Sequence, residues 1–253
     1  MKLVQIGAGT WGKNYLKTLK DFPVEVIVAN RTNWKSLLDT KPQGVIVATH
    51  PGVRTEIAEY ALQLGIPCLL EKPVSLQVSE VERLKKYDIP ILVNHIHLFS
   101  SEYQKLKQYR LPEQIVIELG NCTPERSYSD LWDYGSHVFA IILDLWDTYF
   151  EEIRIKDHVN TPNHWFTSLK FMGNSAIAYY GNRFIEKKSY VDTYHLGQFS
   201  TYDSTLNSGS PSPLHNAIEI FLNGIEGKED PRLGLDLALE VTKTLEWLQW
   251  TSP

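Results

Sequence analysis

Apolar positions follow two different rhythms along this chain of 253 residues. Up to residue 93, short apolar runs alternate with stretches whose apolar residues recur at helical spacing. The runs at 2–6, 24–29, 44–49, 68–70 and 91–93 read as strands buried on both faces of a parallel sheet. Between the first two, Tyr15, Leu16, Leu19 and Phe22 mark one face of a helix. Residues 36–38 are a stub of helix, and 55–64 a longer one with Ile57, Ala58, Ala61 and Leu62 facing inward and Gly65 closing it. Ser79 and Glu82 suggest a capping box for a further helix carrying Val81 and Leu84, which Asp88-Ile89-Pro90 ends. The order β-α-β-β-α-β-α-β is a doubly wound pattern. It is trimmed, because residues 32–43 are too few for a helix, a strand and another helix, so one edge of the sheet is short.

After residue 97 the period-2 signals take over. Strands are expected at 113–122, 153–158, 166–171, 176–180 and 190–202, with Gly173-Asn174 as a hairpin turn and a helix at 131–143. Residues 207–213 read as a mobile polar loop. Helices at 214–224 and 233–250 close the chain, the second with Leu235, Leu239, Thr242, Leu245 and Trp250 on an inward stripe. The fold class is therefore α/β: an N-terminal doubly wound parallel sheet in residues 1–96, then an α+β domain in 97–253 with one open, mostly antiparallel sheet. The C-terminal helices are expected to pack back on the first domain. Aromatic residues crowd the second half (Trp165, Phe166, Phe171, Tyr179, Tyr180, Phe184, Tyr190, Tyr194, Phe199, Tyr202). They serve either as core or as an interface, since a single sheet with helices on one face leaves the other to be covered; a homodimer or higher homo-oligomer follows from the second choice.

Composition narrows the partners. A formal charge of −5 and the lack of a long basic run argue against a nucleic-acid partner. No apolar stretch approaches a membrane span, and the N-terminus enters a strand directly, unlike a signal peptide. Cys68 and Cys122 fall in apparent strands and read as buried reduced thiols, which with the rest points to the cytoplasm.

Two motifs sit at strand ends, where open α/β sheets place their ligands. Gly7-Ala8-Gly9-Thr10-Trp11-Gly12 lies between the first strand and the first helix. The glycines provide a tight turn, close approach of backbone amides to a pyrophosphate, and tight packing of helix on strand, so the fold is of the Rossmann type. The second strand ends at Asn30-Arg31, about 20 residues on, where NAD-binding folds keep a carboxylate for the ribose. An amide and a guanidinium would instead accept a 2′-phosphate, which favours NADP and leaves NAD possible. Arg31 stacking on adenine without choosing is the alternative. The other motif is Glu71-Lys72-Pro73, where Pro73 keeps Lys72 out of the helical region at the sheet edge.

Further on, period-2 alternation would set His95 and His97 on one face, toward the crevice. Neither is expected to bind a metal, since no third ligand follows at a suitable spacing. Asp133 and His137 lie one helical turn apart, so a carboxylate is placed to orient an imidazole.

With the glycine motif and Glu71-Lys72-Pro73 separated by this pattern, the sequence resembles the glucose–fructose oxidoreductase, inositol dehydrogenase and rhizopine catabolism group, the Gfo/Idh/MocA family. The resemblance continues through Thr49-His50-Pro51, Ile57-Ala58, Gly65 and Gln104-Lys105-Leu106-Lys107. It implies dinucleotide contacts at Gly7, Ala8, Gly9, Thr10, Trp11, Gly12, Asn30, Arg31, Thr49, His50, Pro51, Glu71 and Lys72. It implies His137 as acid/base, Asp133 as its orienter and Lys72 as its assistant, and a dimer contact through the second sheet; His95, His97 and Tyr134 are separately expected toward the substrate. The activity it implies is hydride transfer between nicotinamide and a ring hydroxyl or keto carbon of a sugar, sugar nucleotide or cyclic polyol. Three positions depart from the family: Ala140 stands where a further Asp is common, Thr55 where a His is common, and Leu98 where an Arg is frequent. These departures leave room for one rival, a cofactor-sensing regulatory member without turnover; a second rival is an imine or tetrapyrrole reductase, which would not need His137.

Overall fold

The computed structural model describes residues 1–108, 111–122, 128–161, 164–204 and 211–251. The chain divides into two compact units, Met1–Ile96 with Pro211–Leu239, and His97–Ser210 with Glu240–Pro253. The stretch from Pro211 to Leu239 thus returns to the first unit, and the last helix contributes to both.

In the first unit, β1 (Lys2–Ile6), α1 (Thr10–Thr18), β2 (Glu25–Ala29), α2 (Trp34–Asp39), β3 (Gly44–Val47), α3 (Pro51–Gln63), β4 (Cys68–Glu71), α4 (Val78–Leu84) and β5 (Ile91–Asn94) follow in order. The strands form one parallel sheet, β2-β1-β3-β4-β5. Residues 32–43 accommodate only the short α2, which leaves β2 on the edge. One sheet face, with Val4, Val45, Val47 and Leu70, packs on Ile57, Ala58, Ala61 and Leu62 of α3 and on Val81 and Leu84 of α4. Each buried valine, leucine or isoleucine among them contributes about 1.5–3 kcal/mol, against at most about 1 kcal/mol for a surface ion pair, so these apolar layers hold the unit.

Several local expectations are corrected here. Helix α3 starts at Pro51, earlier than its apolar stripe announced, because proline suits a first helical position and His50 caps it, Nδ1 accepting from the Gly52 amide at 3.1 Å. The capping box of Ser79 and Glu82 is absent: α4 already begins at Val78, with Gln77 as its cap and no side-chain bond there. Glu80 is the carboxylate in use, accepting from Thr55 Oγ1 at 2.9 Å and from Ser75 Oγ. Strand β5 stops at Asn94, and Ile96–Phe99 is a 3-10 turn, so the alternation that put His95 and His97 on one face does not apply.

In the second unit, α5 (Ser101–Lys107), β6 (Gln114–Gly120), α6 (Asp130–Asp133), α7 (Gly135–Trp146), β7 (Arg154–Asn160), β8 (Trp165–Phe171), β9 (Asn174–Gly181), β10 (Lys188–His195) and β11 (Gln198–Asp203) follow. The sheet runs β11-β10-β6-β9-β8-β7, antiparallel except for the parallel pair β6 and β9. Helix α7 covers one face, with Phe139 edge-on to Tyr180 at 6.3 Å and Trp146 against Phe171 at 5.6 Å.

The single strand expected at 190–202 is a hairpin, because Leu196 (φ 48°) and Gly197 (φ 80°) turn the chain in the left-handed region. The other hairpin turns at Met172-Gly173, one residue before the expected pair. The helix expected over 131–143 divides at Tyr134 into α6 and α7. Cys122 lies beyond β6 and is exposed, while Cys68 is buried, and burial pushes its thiol well up. Of the loop expected at 207–213, residues 207–210 lie outside the described residues.

Two helices close the chain, α8 (Pro213–Ile225) and α9 (Asp236–Thr251). Within the first unit α8 covers the second face of the parallel sheet: a Cβ on Gly44 would meet Ile225 at 2.7 Å and Phe221 at 3.1 Å. On α9, Leu239, Thr242 and Leu245 are buried as their stripe implies, but Trp250 is 79% exposed and Leu248 is buried instead. Among the described residues no helix is long and apolar enough to cross a membrane.

Candidate active site

The first unit builds a cradle at the carboxyl end of β1. Gly7 has φ +102°, and a Cβ there would lie 2.4 Å from the Ala48 carbonyl oxygen; a Cβ on Gly12 would lie 2.2 Å from the Gly7 oxygen. Any side chain at either position would force the turn and α1 apart. A Cβ on Gly9, by contrast, meets nothing within 4 Å. Gly9 is the N-cap of α1, with no side-chain bond to the first turn and no acidic residue in it. Open space and helix amides together suit an anionic group such as a pyrophosphate. Ala8 and Thr10 are exposed around this opening and Trp11 is half-buried.

Gln5 holds the cradle from beneath. Its Nε2 donates to the carbonyl oxygens of Gly7 at 2.9 Å and Gly12 at 2.8 Å, and the residue is fully buried. At the end of β2, Asn30 and Arg31 are both exposed. The Asn30 Oδ1 accepts from the Thr32 amide and hydroxyl, each at 2.8 Å, and from the Asn33 amide at 3.1 Å. Asn30 therefore shapes the turn with its oxygen, and Arg31 carries the positive charge beside it.

At the end of β3, Thr49 is half-buried and Pro51 buried as the first residue of α3. Arg54, buried on α3, donates through its guanidinium to the carbonyl oxygens of Thr49 and Pro73. It ties the segment after β3 to the Glu71-Lys72-Pro73 segment after β4, where the Lys72–Pro73 peptide is cis. Glu71 and Lys72 are both buried. Glu71 Oε1 accepts from Tyr15 of α1 at 2.7 Å and from Asn94 Nδ2 of β5 at 2.7 Å. Burial, and then the Glu71 charge, push the Tyr15 hydroxyl well above the usual phenol range, so it stays a donor. Glu71 thus anchors the strand end from which Lys72 projects.

In the second unit, Asp133 ends α6 and His137 lies in the first turn of α7. Tyr134 between them keeps helical angles (φ −87°, ψ −38°), and its carbonyl accepts from the amides of His137 and Val138 at 3.0 and 3.1 Å. The one-turn spacing of carboxylate and imidazole therefore survives the division of the helix. Asp133 is buried, His137 and Tyr134 half-buried, and Ala140 fully buried in the body of α7. The His97 ring stands edge-to-face with that of His137, centroids 4.9 Å apart. His95, in the first unit just past β5, is buried. Among the described residues no group of three His, Cys, Asp or Glu side chains is placed to hold a metal.

Sequence reasoning missed Gln5, Arg54 and Asn94, and took Tyr15 only as an apolar position. Gln5 and Arg54 carried a signal, since each interrupts a buried surface with a polar side chain. Nothing in the sequence gave their partners.

The first unit is thus a Rossmann-type dinucleotide-binding fold, and its residues fit a nicotinamide dinucleotide. Residues 13–88 match the model of the Gfo/Idh/MocA family, described as an oxidoreductase family with an NAD-binding Rossmann fold, which places this stretch in that family. The match includes Glu71-Lys72-Pro73 and starts just after the glycines. No curated protein matches the chain. Solved structures match it over both units. UDP-N-acetylglucosamine 3-dehydrogenase from Acidithiobacillus ferrooxidans shows a TM-score of 0.87 at 16% identity, over 100% of this chain and 97% of its own. A 3-ketoreductase variant from Actinomadura kijaniata, solved with TDP-benzene and NADP, shows 0.82 at 14%, over 100% and 98%. A dehydrogenase from Clostridium difficile shows 0.81 at 17%, over 99% of each. At these identities the likeness shows a shared fold.

Proposed function

We propose that this protein is an NADP(H)-preferring oxidoreductase acting on a ring hydroxyl or keto group of a sugar, sugar nucleotide or cyclic polyol. The observation that carries the reading is the glycine cradle at the α1 N-terminus together with Lys72, anchored through Glu71 to that same helix. The sugar-nucleotide dehydrogenase and the 3-ketoreductase that share the fold support the substrate class.

The bound nicotinamide would supply or accept the hydride, and the protein positions and polarises the substrate. In oxidation His137 takes the proton of the reacting hydroxyl and in reduction returns it. Lys72 hydrogen-bonds that oxygen and stabilises negative charge as it builds. Asp133 orients the imidazole. Tyr134, His95 and His97 are assigned to the substrate side, and Gly7 to Gly12, Arg31, Thr49, His50 and Pro51 to the cofactor. Ala140 favours a second reading, a dinucleotide sensor without turnover, because α7 buries a methyl group where the family often carries a carboxylate.

A screen of the purified protein with NADPH and NADH against a panel of keto-sugars and polyols tests the proposal. Lys72→Ala and His137→Ala are expected to keep cofactor affinity within severalfold and to lose roughly 100-fold or more in turnover each. The two losses should combine less than multiplicatively, since both act on one proton transfer. Tight cofactor binding without turnover across the panel would support the sensor. Variants that keep the wild-type rate would remove the assigned roles.

A further inference from the structure

We propose that His97 and Tyr202 are positioning residues that fix the imidazole of His137, through a chain of side chains that starts and ends on α7. The inference rests on the acid/base role proposed for His137 and gives His97 a task beyond any substrate contact of its own.

The chain can be followed link by link within the second unit. The His97 and His137 rings meet edge-to-face, centroids 4.9 Å apart and planes at 85°. Nδ1 of His97 lies 3.2 Å from the Tyr202 hydroxyl of β11. Tyr202 in turn packs edge-on against Tyr103 of α5, with centroids 5.7 Å apart. The Tyr103 hydroxyl donates to Asp144 Oδ2 at 2.8 Å, and Lys107 Nζ donates to Asp144 Oδ1 at 2.6 Å. Asp144 sits on α7, two turns beyond His137.

These links constrain the ring in a way α7 alone does not. An imidazole on a helix can turn about χ1 and χ2, and a general acid/base needs its reactive nitrogen held toward one point. An edge-to-face aromatic contact favours one ring orientation, provided the partner ring is itself fixed. His97 is buried and fixed at Nδ1 by Tyr202, and Tyr202 is locked between His97 and Tyr103. Burial pushes the Tyr202 hydroxyl up to about 12 and raises that of Tyr103 well above the usual range, so both phenols keep their protons at neutral pH. The chain passes no charge to His137; its effect is orientation.

Two variants each cut one link while keeping an aromatic ring in place. Tyr202→Phe removes the hydroxyl that fixes His97, and His97→Phe removes Nδ1. The ring nitrogen and carbon-bound proton signals of His137, assigned by their loss in His137→Ala, are followed by NMR in each. Both variants should shift or broaden those signals. Where the screen has supplied a substrate, kcat of Tyr202→Phe, which leaves every residue assigned to the substrate in place, should fall roughly 10-fold with KM within twofold, as for a misaligned catalytic group. His97→Asn, which restores a hydrogen-bonding atom near Nδ1 but no ring, should recover the Tyr202 contact without restoring the His137 signals. Unchanged His137 signals in Tyr202→Phe overturn the inference, and that variant decides alone if His97→Phe does not fold. Full turnover in His137→Ala would overturn the proposed catalytic role instead, leaving the spectral result to be judged separately.

Discussion

The hydroxyl of Tyr15 donates to Glu71 Oε1 at 2.7 Å, joining the helix that leaves the glycine turn to the strand end that carries Lys72. A buried carboxylate is costly unless its oxygens are satisfied, and Glu71 keeps only the Asn94 bond at that oxygen when the phenol is gone. Tyr15→Phe, which preserves the buried ring, is therefore expected to cost about 1.5–3 kcal/mol, the range for a hydrogen bond to a charged group. Denaturant midpoints read the loss directly. An unchanged midpoint would mean that the bond contributes nothing net.

Cofactor preference should lie with Arg31, because the Asn30 oxygen is committed to its own turn. NADPH is expected to bind at least ~10-fold tighter than NADH, equivalent to about 1.4 kcal/mol. Arg31→Ala should erase most of the difference and leave NADH binding nearly unchanged. Fluorescence titration with both cofactors decides; equal affinities in the wild type would defeat the assignment.

His158 on β7 gives the stability a pH dependence of known sign. Burial holds its imidazole down at about 4, against an ordinary value of 6.5, beneath the Trp165 ring at 4.9 Å and beside Thr167 Oγ1 at 2.7 Å. Between those two values the unfolded chain binds a proton that the folded chain refuses. Stability should therefore fall as pH drops from 6.5 toward 4, then stop falling on this account. Urea midpoints at several pH values should show a shallower slope in His158→Gln than in the wild type. Parallel slopes would assign the effect to other groups.

The sheet of the second unit bears on assembly. Helix α7 packs on the face of Ile115, Ile117, Ala176, Ala178 and Tyr180, all buried. The alternate residues leave Ile177 36%, Tyr194 38% and Phe199 68% exposed on the other face. We expect a second copy to cover it, burying at least ~1,200 Å² in all, as a stable dimer requires. Light scattering at micromolar concentration should report a dimer or larger, and Ile177→Asp with Phe199→Asp should return it to monomer. A wild-type monomer would end the proposal.

Much of the nucleotide-binding unit was legible before any coordinates. Strands buried on both faces read as unbroken apolar runs, and Lys2–Ile6 appears with the bounds its sequence implies. Gly7 and Gly12 are demanded by close backbone approach, which leaves a mark at the very positions where it acts. The spacing of Asp133 and His137 is a helical property and needed no tertiary information. The turn at Leu196-Gly197 was missed because an aromatic, β-branched neighbourhood carries the same signal on both sides of a two-residue loop.

The tertiary structure decided what each polar group does once buried. Sequence periodicity says which face a residue takes, but not which atom waits across a gap of dozens of residues. Tyr15 and Glu71 are 56 residues apart, His97 and Tyr202 105, and only the packed fold brings either pair within hydrogen-bond distance. Arg54 clamps Thr49, five residues back, to Pro73, nineteen residues on, because α3 runs antiparallel to the strands beside it and returns its first turn to their carboxyl ends. Local propensity chose the elements of this protein; long-range desolvation, which penalises every unpaired donor and acceptor, chose the partners.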